Sequence, residues 1–93
     1  MTVIWKYPLA SKWVENVDVR MIRPVHVGID PTGRPSVWIE VDPEGDATNC
    51  TVSIVATGEP IPDDAGEFAG TFTEGPFVWH VFMNITPAEE VTA

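Results

Sequence analysis

Cysteine is almost absent from this chain of 93 residues, which contains only Cys50. A single thiol excludes an intramolecular disulfide framework. The sequence places no activating base beside Cys50, so a catalytic thiol is not expected. We expect Cys50 to be a small, buried strand residue.

Long hydrophobic runs are also absent, since the uninterrupted apolar stretches are only a few residues long. A membrane-spanning helix needs about 20 such residues. The first residues show neither a basic region nor an apolar segment of the kind found in signal peptides. We therefore expect a cytoplasmic protein without membrane insertion.

Basic residues are missing from the larger part of the chain. The five that occur all lie in the first 34 positions, whereas residues 35–93 contain eleven acids and no Lys or Arg, and the formal net charge is −9. Such a surface repels phosphate backbones, so direct nucleic-acid binding is not expected. Two interpretations stay open: the charge keeps the protein soluble, or it steers the protein toward a basic partner, including by mimicry of a nucleic acid.

What the chain does contain is a series of short β-branched and aromatic segments separated by turn signals. The segments predict an all-β fold, either a small antiparallel β-sandwich or a partly open barrel of six to seven short strands. We expect one domain over residues 1–84 and a polar tail over 85–93. The predicted strands cover residues 2–7, 17–22, 25–29, 36–41, 50–56, 67–73 and 77–83.

The segments between these strands are turns and loops. Residues 9–16 predict a short helical turn or a loop, and Pro24 is expected to interrupt the chain. Residues 30–34 (DPTGR) predict a hairpin, because proline presets φ and glycine accepts a positive φ. Residues 42–46 (DPEGD) predict a second, acidic hairpin turn. Residues 57–66 predict a loop, because they contain two prolines and two glycines.

Two predicted strands are unusually aromatic. In residues 4–9 (IWKYPL) and the preceding valine, alternation places Val3, Trp5 and Tyr7 on one face. This pattern favours a core-facing strand at a sheet edge, where Pro8 costs no ladder bond. Residues 77–83 (FVWHVFM) have large groups on both faces, which predicts a mid-sheet strand covered on both sides.

Five segments of the chain form a recognisable series: IWKYPL (4–9), VWIEVDP (37–43), ATGEPIP (56–62), AGTF (69–72) and FVWHVF (77–82). In order and spacing they resemble a family of small bacteriophage and prophage proteins without an assigned activity. The resemblance implies a phage accessory protein, for example of an actinobacterial phage. Where the family pattern has a histidine after Thr57-Gly58, this chain has Glu59, so any role of that histidine is absent here.

Catalytic and metal-binding motifs are not found. Serine hydrolase, P-loop and dinucleotide fingerprints do not occur. Cys50, His26 and His80 could supply three zinc ligands only if the fold brought them together. The acids of residues 42–46 are not followed by the remaining ligands of a calcium loop. We expect no enzyme activity, no cofactor and no metal.

The leading hypothesis is a non-enzymatic phage accessory protein that binds a bacterial host protein, either of the growth and division machinery or of a defence system. Aromatic and arginine side chains are typical binding hot spots, although Trp13 could instead cap one end of the core. The candidate binding residues are Trp5, Tyr7, Trp13, Arg20, Arg23 and Trp38.

Three further possibilities stay open. The first is a protein that sequesters a small nucleotide signal of an anti-phage system, with stacking by Trp and Phe and with phosphate contacts from Arg20, Arg23 and Arg34. The second is a virion or assembly component. The third, compatible with any function, is a homodimer formed through edge strands.

Overall fold

The protein is built of β-strands alone in the part of the chain that the structure describes. The computed structural model describes residues 1–9, 12–17 and 19–87, and it describes their side chains except for those of residues 12–17. These residues contain no helix that is long and apolar enough to cross a membrane. The strands are β1 (Val3–Pro8), β2 (Lys12–Val17), β3 (Arg20–Ile29), β4 (Pro35–Asp42), β5 (Thr48–Ala56), β6 (Glu67–Glu74) and β7 (Phe77–Pro87).

These strands form two antiparallel sheets. Sheet A has the order β1-β4-β3, and sheet B has the order β2-β5-β7-β6. No strand pairing joins the two sheets in the described residues, so the fold is a sandwich rather than a closed barrel. The predicted all-β antiparallel sandwich is therefore confirmed, and β7 has the predicted position inside its sheet.

The core lies between the sheets and uses alternate residues of the central strands. Val37, Ile39 and Val41 of β4 have no exposed surface, and the same is true of Cys50 and Val81 from sheet B. This alternation follows from the two-residue period of a strand, which sends successive side chains to opposite faces. The expectation of a buried Cys50 is confirmed.

The predicted hairpin of residues 30–34 joins β3 to β4. Gly33 has a φ of 87°, as the turn requires, and its N–H donates to the carbonyl of Asp30 at 2.9 Å. The Asp30 carboxylate accepts from the backbone N–H groups of Thr32 and Arg34 and from the Lys6 ammonium at 2.9 Å. One buried carboxylate thus ties the hairpin to β1.

The acidic turn of residues 42–46 is present, but it is not a hairpin. Gly45 N–H donates to the Asp42 carbonyl at 3.0 Å, which closes the turn. The strands on either side, β4 and β5, belong to different sheets. Turn residues predict a change of direction, whereas the choice between a hairpin and a crossing depends on which strands pair across the whole molecule.

Two predictions for the N-terminal half are wrong. The segment 9–16, predicted as a helical turn or a loop, contains most of strand β2, which pairs with β5. Pro24 does not interrupt β3, which continues through it with register shifts on both sides. An edge strand tolerates proline because one side of its backbone makes no ladder bonds.

The opening strand β1 lies at the edge of sheet A, as predicted, but it is less buried than a core strand. Tyr7 packs against the core, whereas Val3 and Trp5 are 37% and 42% exposed. The strand of sheet A that lies closest to sheet B is β3, at the opposite edge. Val3 and Trp5 therefore stay partly exposed although they lie on the inner face of sheet A, because sheet B does not cover this edge.

The chain continues as a strand beyond the expected domain end at residue 84. Strand β7 reaches Pro87, and Ile85 pairs with Cys50 of β5. Residues 88–93, the rest of the expected tail, lie outside the described residues.

Candidate binding groove

The outer face of sheet B, which points away from the core, has a row of large side chains along β7. Val78, His80 and Phe82 lie on this face, because they alternate with the buried Val81 and Met83. The described residues place no further layer over it, and Val78 is 38% exposed. The expectation that residues 77–83 are covered on both sides is therefore wrong for the outer side.

A groove of about 290 Å³ lies on this face, between the loop that follows β5 and the strands β6 and β7. Ligand pockets for small molecules usually occupy roughly 300–1,000 Å³. The groove is thus of a size for one side chain rather than for a large cofactor. Its lining residues are Val55, Ala56, Thr57, Gly58, Glu59, Ile61, Phe68, His80 and Phe82.

Two phenylalanines form the apolar side of the groove. The rings of Phe68 and Phe82 are 5.6 Å apart with an interplanar angle of 66°, an edge-to-face arrangement. Phe68 is 58% exposed and Ile61 is 57% exposed, although both are strongly apolar. Exposed apolar side chains that are grouped around a depression are typical of a binding surface.

His80 is fixed in the groove by two hydroxyl groups. Thr57 Oγ1 lies 2.8 Å from Nε2, and Thr71 Oγ1 lies 3.1 Å from Nδ1. A hydroxyl can donate or accept, so these two threonines satisfy both ring nitrogens in either neutral tautomer. The arrangement orients the ring and occupies the atoms that a general base would use.

The carboxylate of Glu59 is also held in place. Its Oε1 accepts from the N–H of Ala56 at 2.8 Å, and its own N–H donates to the Ala56 carbonyl at 3.0 Å. This pair of bonds closes the tight turn that contains Gly58, whose φ is 93°. Among the described residues, no donor reaches the second oxygen, Oε2.

One carboxylate lines the groove. Glu59 is the formally charged residue among the described residues that form it. Asp63 and Asp64 are exposed farther along the same loop, and Glu67 lines a different depression with Ile22 and Pro24. On the side of β5, strand β2 places Lys12 opposite Ser53, which in turn pairs with Phe82. The groove therefore combines an apolar floor with a single acid.

The binding residues predicted from sequence do not form one site. Trp5 and Tyr7 lie on the inner face of β1, because they pair with the core residues Ile39 and Val37. Trp38 lies on the outer face of sheet A, where its ring is 5.3 Å from that of His26. The Trp13 side chain lies outside the described residues.

The two predicted arginines are placed apart from the groove as well. Arg23 Nε donates to Glu40 Oε1 at 2.8 Å on the outer face of sheet A. Hydrogen bonds from Thr2 and Arg23 lower the pKa of Glu40. Arg20 is the first residue of β3, and its backbone lies opposite that of Asp42 in the strand register. No basic patch results, since Arg23 is neutralised by an acid on its own sheet.

The three residues considered for zinc lie in different layers. His26 is on the outer face of sheet A, Cys50 is in the core, and His80 is on the outer face of sheet B. The described residues contain no group of three or more His, Cys, Asp or Glu that could hold a metal ion. The geometry thus separates the candidate ligands.

The sequence does not predict the groove, because its residues come from two strands and a loop that only the fold brings together. Residues 77–83 give a signal, since their second face is apolar. A sandwich of two sheets leaves that face open rather than covered. The alternation of Phe68 with its neighbours predicts a strand face but does not indicate whether that face is the core side.

The fold and the groove define the chain as a small antiparallel β-sandwich with an acidic, apolar groove on one outer face. The chain belongs to the domain family described as domain of unknown function DUF7352, which matches residues 1–92. No curated protein and no solved structure matches the chain.

Proposed function

We propose that the chain is a non-enzymatic binding protein whose outer groove on sheet B docks an apolar, positively charged segment of a partner protein. The observation that supports this function is the exposure of Phe68 and Ile61 around a depression that is also lined by the carboxylate of Glu59. Buried aromatic anchors supply most of the affinity of protein interfaces. Complementary charge supplies orientation and association rate.

The groove offers little to a reaction mechanism. Both nitrogens of His80 are engaged by threonine hydroxyls, and Cys50 is buried in the core. A nucleophile activated by a neighbouring base is the usual requirement for covalent catalysis. These features support binding rather than catalysis.

The proposed setting is the cytoplasm of a bacterial host, with the chain acting as a phage accessory protein. This part of the proposal is supported by the sequence resemblance described above. The proposed partner is a host protein of the growth and division machinery or of a defence system. Binding through an acidic surface weakens as salt rises, because the field is screened.

The alternative of nucleotide sequestration has less geometric support. Arg20 and Arg34 lie near opposite ends of the β3–β4 hairpin, and Arg23 is paired with Glu40. Three guanidinium groups so placed do not converge on one phosphate group. Assembly into virions and homodimer formation stay predictions.

Affinity capture with matched variants tests the proposed function. The wild-type protein, Phe68→Ser and Ile4→Ser are immobilised and exposed to bacterial lysate at low salt. Phe68 and Ile4 are matched because they are 58% and 57% exposed and belong to different sheets. We expect one or more proteins that wild type and Ile4→Ser retain and Phe68→Ser loses.

Retained proteins are then eluted with rising salt and identified by mass spectrometry. Elution below roughly 0.5 M salt is expected for a contact with a strong electrostatic component. Loss of the same proteins by Ile4→Ser, with retention by Phe68→Ser, would move the interface to sheet A and contradict the proposal.

A further inference from the structure

The groove brings a carboxylate and aromatic rings together at one place. Glu59, Phe68 and Phe82 all line it. An aromatic ring attracts a cation over its face, and a carboxylate attracts it by charge and by hydrogen bonding. These two attractions commonly act on the same side chain, namely arginine or lysine.

Two features prepare this place for a cation. The carboxylate is held by its bond to Ala56 through Oε1, so little conformational entropy is lost when Oε2 accepts a further bond. The neighbouring Phe68 ring is 58% exposed, and its edge-to-face contact with Phe82 restrains its orientation.

We infer that the groove is a recognition site for an arginine side chain of the partner. This inference rests on the proposed function and states the chemistry of its contact. The guanidinium stacks on Phe68 and donates to Glu59 Oε2, and the aliphatic stem lies along Ile61 and Val55. Arginine is favoured over lysine because its planar group stacks on aromatic rings and forms directional bonds with carboxylates.

The charge of the molecule supports an occupant of this kind. A cation in the groove meets the carboxylate of Glu59, and no Lys or Arg is among the described residues that line it. An apolar occupant would gain nothing from Glu59. A second copy of this chain would bring another net charge of −9 to the same surface.

Two peptides test the inference with the protein in isotope-labelled form. Acetyl-Gly-Arg-Gly-amide is titrated against the protein and followed by amide NMR shifts, and the citrulline analogue replaces the guanidinium by a neutral group of the same shape. We expect saturable shifts at Glu59, Phe68 and Phe82, and roughly tenfold weaker binding of the citrulline peptide.

Matched variants test whether arginine binding depends on the Glu59 carboxylate and on the Phe68 ring. Glu59→Gln keeps an acceptor for Ala56 but removes the charge, and Phe68→Leu keeps an apolar side chain but removes the ring. Both are expected to weaken arginine binding by about tenfold. Glu74→Gln and Phe77→Leu are the controls, since Glu74 is exposed and Phe77 is 56% exposed, and neither lines the groove.

Each outcome has one interpretation. Equal binding of the two peptides, no shifts in the groove, or no effect of Glu59→Gln would overturn the arginine site. If the inference fails in this way while Phe68→Ser still abolishes partner capture, the proposed function stands with an apolar occupant. If capture also does not depend on Phe68, both fail.

Discussion

At the scale of single residues, Asp30 shows how one side chain can fix the relation between strands. Its carboxylate accepts bonds from the hairpin backbone and from Lys6 of β1. The largest cause of the lowered pKa of Asp30 is the bond from the Arg34 backbone, followed by the bonds from Lys6 and Thr32. The ionised form is thus strongly favoured in the folded protein.

The lowered pKa has a definite consequence for stability. A group whose pKa is lower in the folded state stabilises the fold above its ordinary pKa, here 3.8, and loses this contribution as the pH falls toward the folded-state value. We therefore expect Asp30→Asn to be clearly less stable than wild type at about pH 7, and the difference to shrink at about pH 2.5.

Urea unfolding followed by tryptophan fluorescence at both pH values measures this difference. Asp46→Asn is the control, because Asp46 is exposed and has no hydrogen bond of its side chain in the described residues. If Asp30→Asn lowers the free energy of unfolding by the same amount at both pH values, the hairpin is held by something other than the ionised carboxylate.

At the scale of elements, the loop between β5 and β6 decides the shape of the groove. Its last residue, Gly66, has a φ of 86° and lies directly against the carbonyl of Met83 in β7, where an added Cβ would overlap the carbonyl oxygen. Asn84 Nδ2 donates to the Asp64 carbonyl at 3.1 Å. The loop is therefore held against β7 by the close backbone approach at Gly66 and by the side-chain hydrogen bond from Asn84.

Replacing glycine by alanine can cost stability in two ways, through the positive φ and through steric overlap of the added Cβ. Gly66→Ala and Gly33→Ala separate these two costs. Gly33 has nearly the same φ, 87°, but open space around its Cβ position. We expect Gly33→Ala to cost about 1 kcal/mol from the left-handed conformation alone. Gly66→Ala is expected to cost about 2 kcal/mol more, because it also forces the loop away from β7.

The measurement is the free energy of unfolding of each variant from urea titrations. Equal costs for the two substitutions would mean that the loop yields freely at Gly66. In that case the end of the loop would not be fixed against β7.

A strand can be predicted from the sequence when the alternation of its own residues reflects burial, and not when its structure depends on pairing with a distant strand. Alternation predicted β4, β5 and β7 well, because their inner residues are the core. It failed at residues 9–16, where pairing with β5 determines the structure of a segment that has no clear period of its own. It also failed to predict the groove, because the exposure of a face depends on the number of layers, which no single strand encodes.

At the scale of the whole molecule, charge and architecture act together. Two sheets cover each other's inner faces and leave two outer faces open. The outer face of sheet A has an internal ion pair, Arg23–Glu40, whereas the charged residue that lines the groove of sheet B is an acid, Glu59, with no basic partner among the described residues. We propose that this difference directs a basic, apolar segment to the groove of sheet B.

Site-specific cross-linking in bacterial cells tests this central claim most directly. Photoreactive p-benzoylphenylalanine is placed at position 68 in one strain and at the equally exposed position 4 in another. We expect a discrete cross-linked partner from position 68 upon irradiation and none from position 4. A partner that cross-links from position 4 and not from position 68 would contradict it.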